Sequence, residues 1–153
     1  MNGQEKVFAP GEMPGRSVIE AGPRDIYWYP LNFTIAAGNP ATNAIQVEAD
    51  SNFYMNALSY QADIDGAALE EATNVIPLVT ILITDSGSGR NLMNGPVPIP
   101  AIFGDGKRPY RFVHPRVFKR NTSIQIALLN YSDDTDYNLR LTFHGFKVFG
   151  DRR

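Results

Sequence analysis

The sequence predicts an all-β fold: an antiparallel two-sheet β-sandwich, jelly-roll-like, with an extended N-terminal arm. Three observations predict it. Apolar residues recur at every second position in several runs, as in Ile124, Ile126, Leu128 and again in Tyr137, Leu139, Leu141, Phe143. Glycine and proline, 13 and 11 residues, fall between these runs rather than inside them. Only one short passage, 65–74, is rich in helix formers. Period-two patterning is the mark of a half-buried strand, and Gly/Pro punctuation between strands is that of an all-β chain. An immunoglobulin-like sandwich is the second architecture compatible with the pattern.

Residues 1–24 read as an arm, and 25–153 as a single sandwich domain. Pro10, Pro14, Pro23, Gly11, Gly15 and Gly22 forbid a long helix or a continuous strand in the arm. Val7, Phe8, Val18 and Ile19 are too apolar for an idle tail and are expected to bind a partner. The first strand is expected over 25–36, at an edge or bent, because Pro30 cannot donate to a ladder. A second follows over 44–50. A third, 53–64, carries apolar groups at both parities, which suggests a central strand or one whose outer face meets another molecule. Residues 65–74 are too short for more than two helical turns and read as a loop. The β-branched run 75–84 is the fourth strand.

Residues 85–108, with five glycines and three prolines, form a long crossover, a kind of connection that is often functional. A short fifth strand covers 109–113, and His114-Pro115-Arg116 is expected to bend the chain. The last two strand patterns, around the polar stretch 130–136, read as an antiparallel hairpin that serves as scaffold.

Composition bounds the function. A chain of 153 residues is long enough for one sizeable core. Its net charge of −2 offers no argument for nucleic acid or an anionic membrane. The absence of cysteine excludes disulfides and thiolate metal sites. No apolar run approaches the roughly 20 residues of a membrane-spanning helix. The first residues lack the apolar stretch of a signal peptide, so synthesis in the cytosol is expected.

Chemistry is faint. His114 and His144 lie in different elements without ligand spacing, so surface hydrogen bonding is their simplest role. Asp133, Asp134 and Asp136 lack the glycine and distal glutamate of a calcium loop. The glycine-rich 85–90 follows a strand but lacks the Lys-Ser/Thr of a phosphate loop. No catalytic, cofactor or metal residue is assigned. The stretch 107–120 interleaves Arg108, Arg111 and Arg116 with Tyr110 and Phe118. Such a mixture suits single-stranded nucleic acid or a protein interface, and the acidic balance of the whole chain favours the interface. A carbohydrate-binding module would need a groove of exposed aromatics, for which Tyr27, Trp28 and Tyr29 are the candidates.

Several segments together carry a resemblance: 83–92, Pro96-Val97-Pro98-Ile99-Pro100, Phe103-Gly104, Pro115-Arg116-Val117-Phe118, 121–124, Asn130 and 137–147. Over roughly 25–149 the chain resembles small β-sandwich structural proteins of tailed bacteriophage virions: head decoration or cement proteins, or minor capsid proteins. The resemblance implies a non-enzymatic protein without cofactor, made in the host cytoplasm and placed on the virion. It implies oligomers bound to the major capsid protein or other virion proteins, and the apolar residues on both faces of 53–64 give the expectation of a homo-oligomer, a dimer or trimer. A neck or tail position is equally compatible with it.

Overall fold

The computed structural model describes residues 23–68 and 74–150. Among them the chain forms nine strands and one turn of helix. The strands are β1 (Arg24–Ile35), β2 (Pro40–Gln46), β3 (Ser51–Ile64), β4 (Val79–Asp85), β5 (Arg90–Asn91), β6 (Val97–Pro98), β7 (Tyr110–Phe118), β8 (Ser123–Asn130) and β9 (Tyr137–Phe149). The helical turn α1 (Ile99–Ile102) lies between β6 and β7. Sheet I has the order β1-β9-β3-β7, and sheet II the order β2-β8-β4-β5 with β6 also on β4. Every strand pairing is antiparallel. The two sheets pack face to face, so the expected all-β sandwich is the fold.

Alternation decides what lies between the sheets. Leu31, Phe33 and Ile35 of β1, Leu139, Leu141 and Phe143 of β9, Ile124, Ile126 and Leu128 of β8, and Val79, Ile81 and Ile83 of β4 form one buried cluster. Residues at the other parity of these strands are half-buried or exposed, apart from Val148 at the end of β9, which is buried.

Several expectations need correction. The stretch 121–149 is not a hairpin. β8 pairs with β2 and β4, whereas β9 pairs with β1 and β3, so the chain crosses from one sheet to the other at 131–136. Period two reports which residues face the core, not which strand lies alongside. β2 begins at Pro40 rather than Ala44, and Val75–Leu78 lie outside β4.

β3 is central, as expected, but its double-sided apolar pattern has a local cause. Met55 pairs with Gly145 and Ala57 with His144, so Asn56 is an extra residue in β3. This bulge shifts the parity by one. Phe53 and Met55 before it and Leu58 and Ala62 after it consequently all join the core. The bulge is accommodated by Gly145, where a Cβ would collide with the Tyr54 carbonyl.

Pro115 does not end the fifth strand. β7 is an edge strand, where the missing N–H is tolerated. The crossover 85–108 is built in steps: β5 and β6 fold back on β4, α1 buries Ile99, and Phe103 packs edge-to-face on Phe143 with centroids 6.0 Å apart. Gly104 then bonds to the β3 backbone, accepting from Tyr60 N at 2.9 Å and donating to Leu58 O at 3.1 Å. The next sheet-to-sheet crossing, β7 to β8, turns at Asn121, whose φ of 59° lies in the left-handed region that asparagine tolerates.

Asn130, fully buried, ties the crossing at 131–136. Its amide donates to Ile35 O at 3.1 Å and to Thr135 O at 2.8 Å, and its Oδ1 accepts from Ser132 N at 3.0 Å. Replacing it by alanine leaves two carbonyls and one N–H without a partner in a buried place. Asn130→Ala is expected to destabilise the fold by about 2–4 kcal/mol, measured by chemical denaturation. Gly145→Ala is expected to cost about 1–3 kcal/mol through overpacking.

Candidate functional site: the outer face of sheet I

The solvent side of sheet I is built as transverse rows, because residues at one parity of β1, β9 and β3 stand beside each other. The first row runs Ile26, Phe146, Tyr54 and Val117 across all four strands. Tyr54 stacks on Phe146 at 5.0 Å, and the Arg24 guanidinium lies over the Phe146 ring at 5.5 Å. Ile26 remains 74% exposed.

The second row is Trp28, His144, Ala57 and Arg111. Here the indole N–H donates to His144 Nδ1 at 3.1 Å, while His144 Nε2 lies 2.7 Å from Ser59 Oγ. A Ser–His contact of this length invites comparison with a hydrolase, and the comparison fails on the proton. In a triad, a carboxylate accepts from Nδ1 and leaves Nε2 free to take the serine proton. In this protein the indole donates to Nδ1, so Nδ1 is the acceptor and the neutral ring carries its proton on Nε2. His144 therefore donates to Ser59 instead of activating it. Burial, followed by the nearby Arg111 guanidinium, pushes the His144 pKa below its ordinary value.

The remaining rows are polar: Pro30–Thr142–Ser59, Asn32–Arg140–Gln61 and Thr34–Asn138–Asp63. Arg140 pairs with Asp63 at 2.7 Å, and Asn138 donates to Asp63 at 3.1 Å and to Asp65 at 3.2 Å. The Arg140 hydrogen bond holds the Asp63 carboxyl below the usual range against the opposing effect of desolvation. Two segments rise beside these rows. Asn74 bridges to Asp63 and Val75 N donates to Ala62 O at 3.0 Å, which fixes 74–76 along β3. Asp105 caps its own turn through the Lys107 and Arg108 N–H groups at 3.0 and 2.7 Å, which fixes 105–107. Between them lies a groove of about 730 Å³.

The residues expected at an interface fall into three groups. Arg108, Tyr110 and Arg111 are exposed on or beside edge strand β7, and Arg116 is half-buried there. Phe118 is fully buried in the core and is removed from any interface; parity along the strand, hidden by the Pro115 region, decides this. Val7, Phe8, Val18 and Ile19 lie outside the described residues. β7 also carries an irregularity that the sequence does not announce. Met55 pairs with Arg116 and Ala57 with Arg111, so Phe112, Val113, His114 and Pro115 stand opposite Asn56 alone. Val113 at the bulge is 91% exposed.

The three aromatic candidates separate as well. Trp28 faces outward, whereas Tyr27 and Tyr29 turn toward the core and meet edge-to-face at 4.9 Å. They surround Lys147, whose ammonium sits 3.9 Å from the Tyr27 ring centroid and pairs with Glu48. Burial lowers the Lys147 pKa, but the Glu48 hydrogen bond and the neighbouring tyrosines and Glu48 charge outweigh it, for a net rise. Burial likewise raises Tyr29, whose hydroxyl lies by the Glu48 backbone without a well-formed hydrogen bond.

The remaining sequence candidates have local explanations. Asp85, buried, organises the glycine-rich turn: its carboxylate accepts from Gly87 N at 2.9 Å and Ser88 Oγ at 3.0 Å. Asp136 accepts from Ala37 N at 2.8 Å, and Asp134 from Thr135 Oγ1 at 2.9 Å. Among the described residues no group of three His, Cys, Asp or Glu is placed to hold a metal ion. No helix among them is long and apolar enough to cross a membrane. Compared with known proteins, the chain matches no family model and no curated sequence.

His144 gives a pH signature. Its folded pKa lies below the ordinary 6.5, so between the two values the unfolded chain binds a proton that the folded chain refuses. Its contribution to stability is therefore full above 6.5 and is lost as pH falls through the folded value. Thermal melts are expected to drop over this window in the native chain and to flatten there in His144→Gln. Asp63 acts separately, below its unfolded value of 3.8.

Proposed function

We propose that this chain is a non-enzymatic structural protein of a tailed-phage virion, which binds and stabilises the head as a decoration, cement or minor capsid protein. The observation that carries the reading is edge strand β7. It presents Arg108, Tyr110 and Arg111 together with a four-residue bulge that holds Val113 in solvent. Arginine and tyrosine around an apolar point are the composition of an interface hot spot. The bulge breaks the flat edge that would otherwise pair indiscriminately with other strands.

Three features support it. The strand orders β1-β9-β3-β7 and β2-β8-β4-β5 place most consecutive strands in opposite sheets. We take this winding as a jelly roll, an architecture used by viral capsid domains. Fold alone does not define function. The Ser59–His144 pair, with its proton on the wrong nitrogen for a hydrolase, favours a non-enzymatic role. The net charge of −2 favours protein partners over nucleic acid. The partner is then the major capsid protein or another virion protein, the location is the virion, and the protein is a homo-oligomer. The exposed Ile26 beside the Tyr54–Phe146 stack supplies a surface for self-association. Residues 1–24 add weak anchors whose effect multiplies over many copies.

Co-sedimentation with phage heads lacking accessory proteins tests the reading. Binding is expected to be lost with increasing salt, as charge-assisted contacts require. Arg108→Glu with Arg111→Glu is expected to weaken it by at least about tenfold, some 1.4 kcal/mol, with the melting temperature nearly unchanged. Deletion of residues 1–22, which spares Pro23 and Arg24 at the start of β1, is expected to leave the domain folded and to weaken attachment. No binding to heads by the native chain would overturn the proposal.

A further inference from the structure

We propose that the groove on the outer face of sheet I is a binding site for an uncharged oligosaccharide chain. This inference goes beyond the virion reading and does not depend on it.

The lining has the chemistry that a polyhydroxyl ligand needs. A sugar ring carries hydroxyl groups around its rim and C–H groups on its faces. The rim calls for planar amides, guanidinium and hydroxyls that both donate and accept; the faces call for apolar contact. The groove offers Asn32, Gln61, Arg140, Ser59 and Thr142 for the first, and Pro30 and Ile76 for the second. Much of this hydrogen-bonding capacity is unused. The side chains of Asn32 and Thr142 make no hydrogen bond among the described residues. Ser59 accepts from His144 and keeps its own proton to donate. Arg140 spends one Nη1 bond on Asp63, out of the five N–H donors of a guanidinium.

The position of the groove selects among ligands. It lies across the face of a sheet whose backbone is already paired, so an extended peptide finds no free strand edge at its floor. Arg140 is neutralised by Asp63, and Lys107 on the rim is offset by Asp105. A phosphate chain would therefore meet no net positive charge, whereas a neutral glycan loses nothing. Its volume, about 730 Å³, falls within the range of small-ligand sites. The rows then extend the site. Trp28 lies two residues before Pro30 on the same face, about 7 Å along the strand. It is 54% exposed, with its indole N–H held by His144. A fixed aromatic ring beyond one end of a polar trough suits the next sugar unit of a chain.

The full chain, labelled with nitrogen-15, would be titrated with neutral hexasaccharides of glucose (α- and β-linked), N-acetylglucosamine, mannose and xylose, and with a Gly/Ser/Thr peptide. At least one saccharide is expected to shift the Asn32 and Gln61 side-chain amides and the Trp28 indole N–H together, saturably at millimolar concentration or below. Asn32→Ala with Thr142→Val is expected to weaken this binding by about tenfold, the effect of ~1.4 kcal/mol, without moving the melting temperature. Thr42→Val, on the outer face of sheet II, is expected to change nothing. The proposal is overturned if no saccharide shifts these signals. It is equally overturned if binding survives the double substitution, or if only the peptide binds.

Discussion

The buried amide of Asn130 is the constraint on which the sandwich depends. A chain that passes from one sheet to the other must bring backbone groups through a dry edge of the core. Each such group left unpaired costs free energy comparable to a lost hydrogen bond. Asn130 satisfies three of them at once, on β1, on the turn and on its own segment. The crossing is thereby fixed in place, and with it the register of β9, whose Tyr137 stands opposite Ile35. Once that register is fixed, every odd residue from Tyr137 to Phe143 points into the core and every even one points out. The inner face makes the fold and the outer face makes the site.

The opposite end of β9 solves a different problem. Lys147 keeps the inward parity of the strand, so a cation arrives where the core should close. It is accommodated by the Tyr27 ring face and the Glu48 carboxylate, and Asp50 lies 4.0 Å away. A buried charge held by an aromatic face and an ion pair is specific in a way that a methyl group is not. It fixes the positions of the segment after β2 and the start of β1 together. The end of the sandwich thus shares a polar logic with the Asn130 end, though one uses a neutral amide and the other a charge.

The sequence carried the faces of the strands well and their neighbours poorly. Leu139, Leu141 and Phe143 are inward as their spacing says, and Pro30 sits on an edge as its missing N–H requires. Spacing contains no term for pairing, which is why β8 and β9 look like partners and are not. Bulges defeat parity itself. Asn56 has no distinctive signature, yet it moves Leu58 to the face of Met55. Phe118 reads as part of a basic-aromatic surface because the irregularity at 112–115 hides its parity. The site was the least legible part. Trp28, Ser59 and His144 meet across separations of 116 and 85 residues, and the groove residues are ordinary polar alternates on three distant strands. Only their transverse alignment gives them a common purpose.

That alignment has a consequence for how the molecule comes into being. β1, which opens the described chain, is zipped along its whole length to β9, which closes it. On a ribosome, β1 must wait for β9 to emerge before it acquires the in-sheet neighbour it has among the described residues. Folding dominated by such distant pairings is slow, and a strand waiting unpaired is open to misassociation. Pro30 and the outward polar residues Asn32 and Thr34 keep that waiting strand less adhesive. The same feature makes the product indivisible. Removing β9 would take from β1 its in-sheet neighbour among the described residues and from β3 one of its two, so a cut at either strand is felt across sheet I.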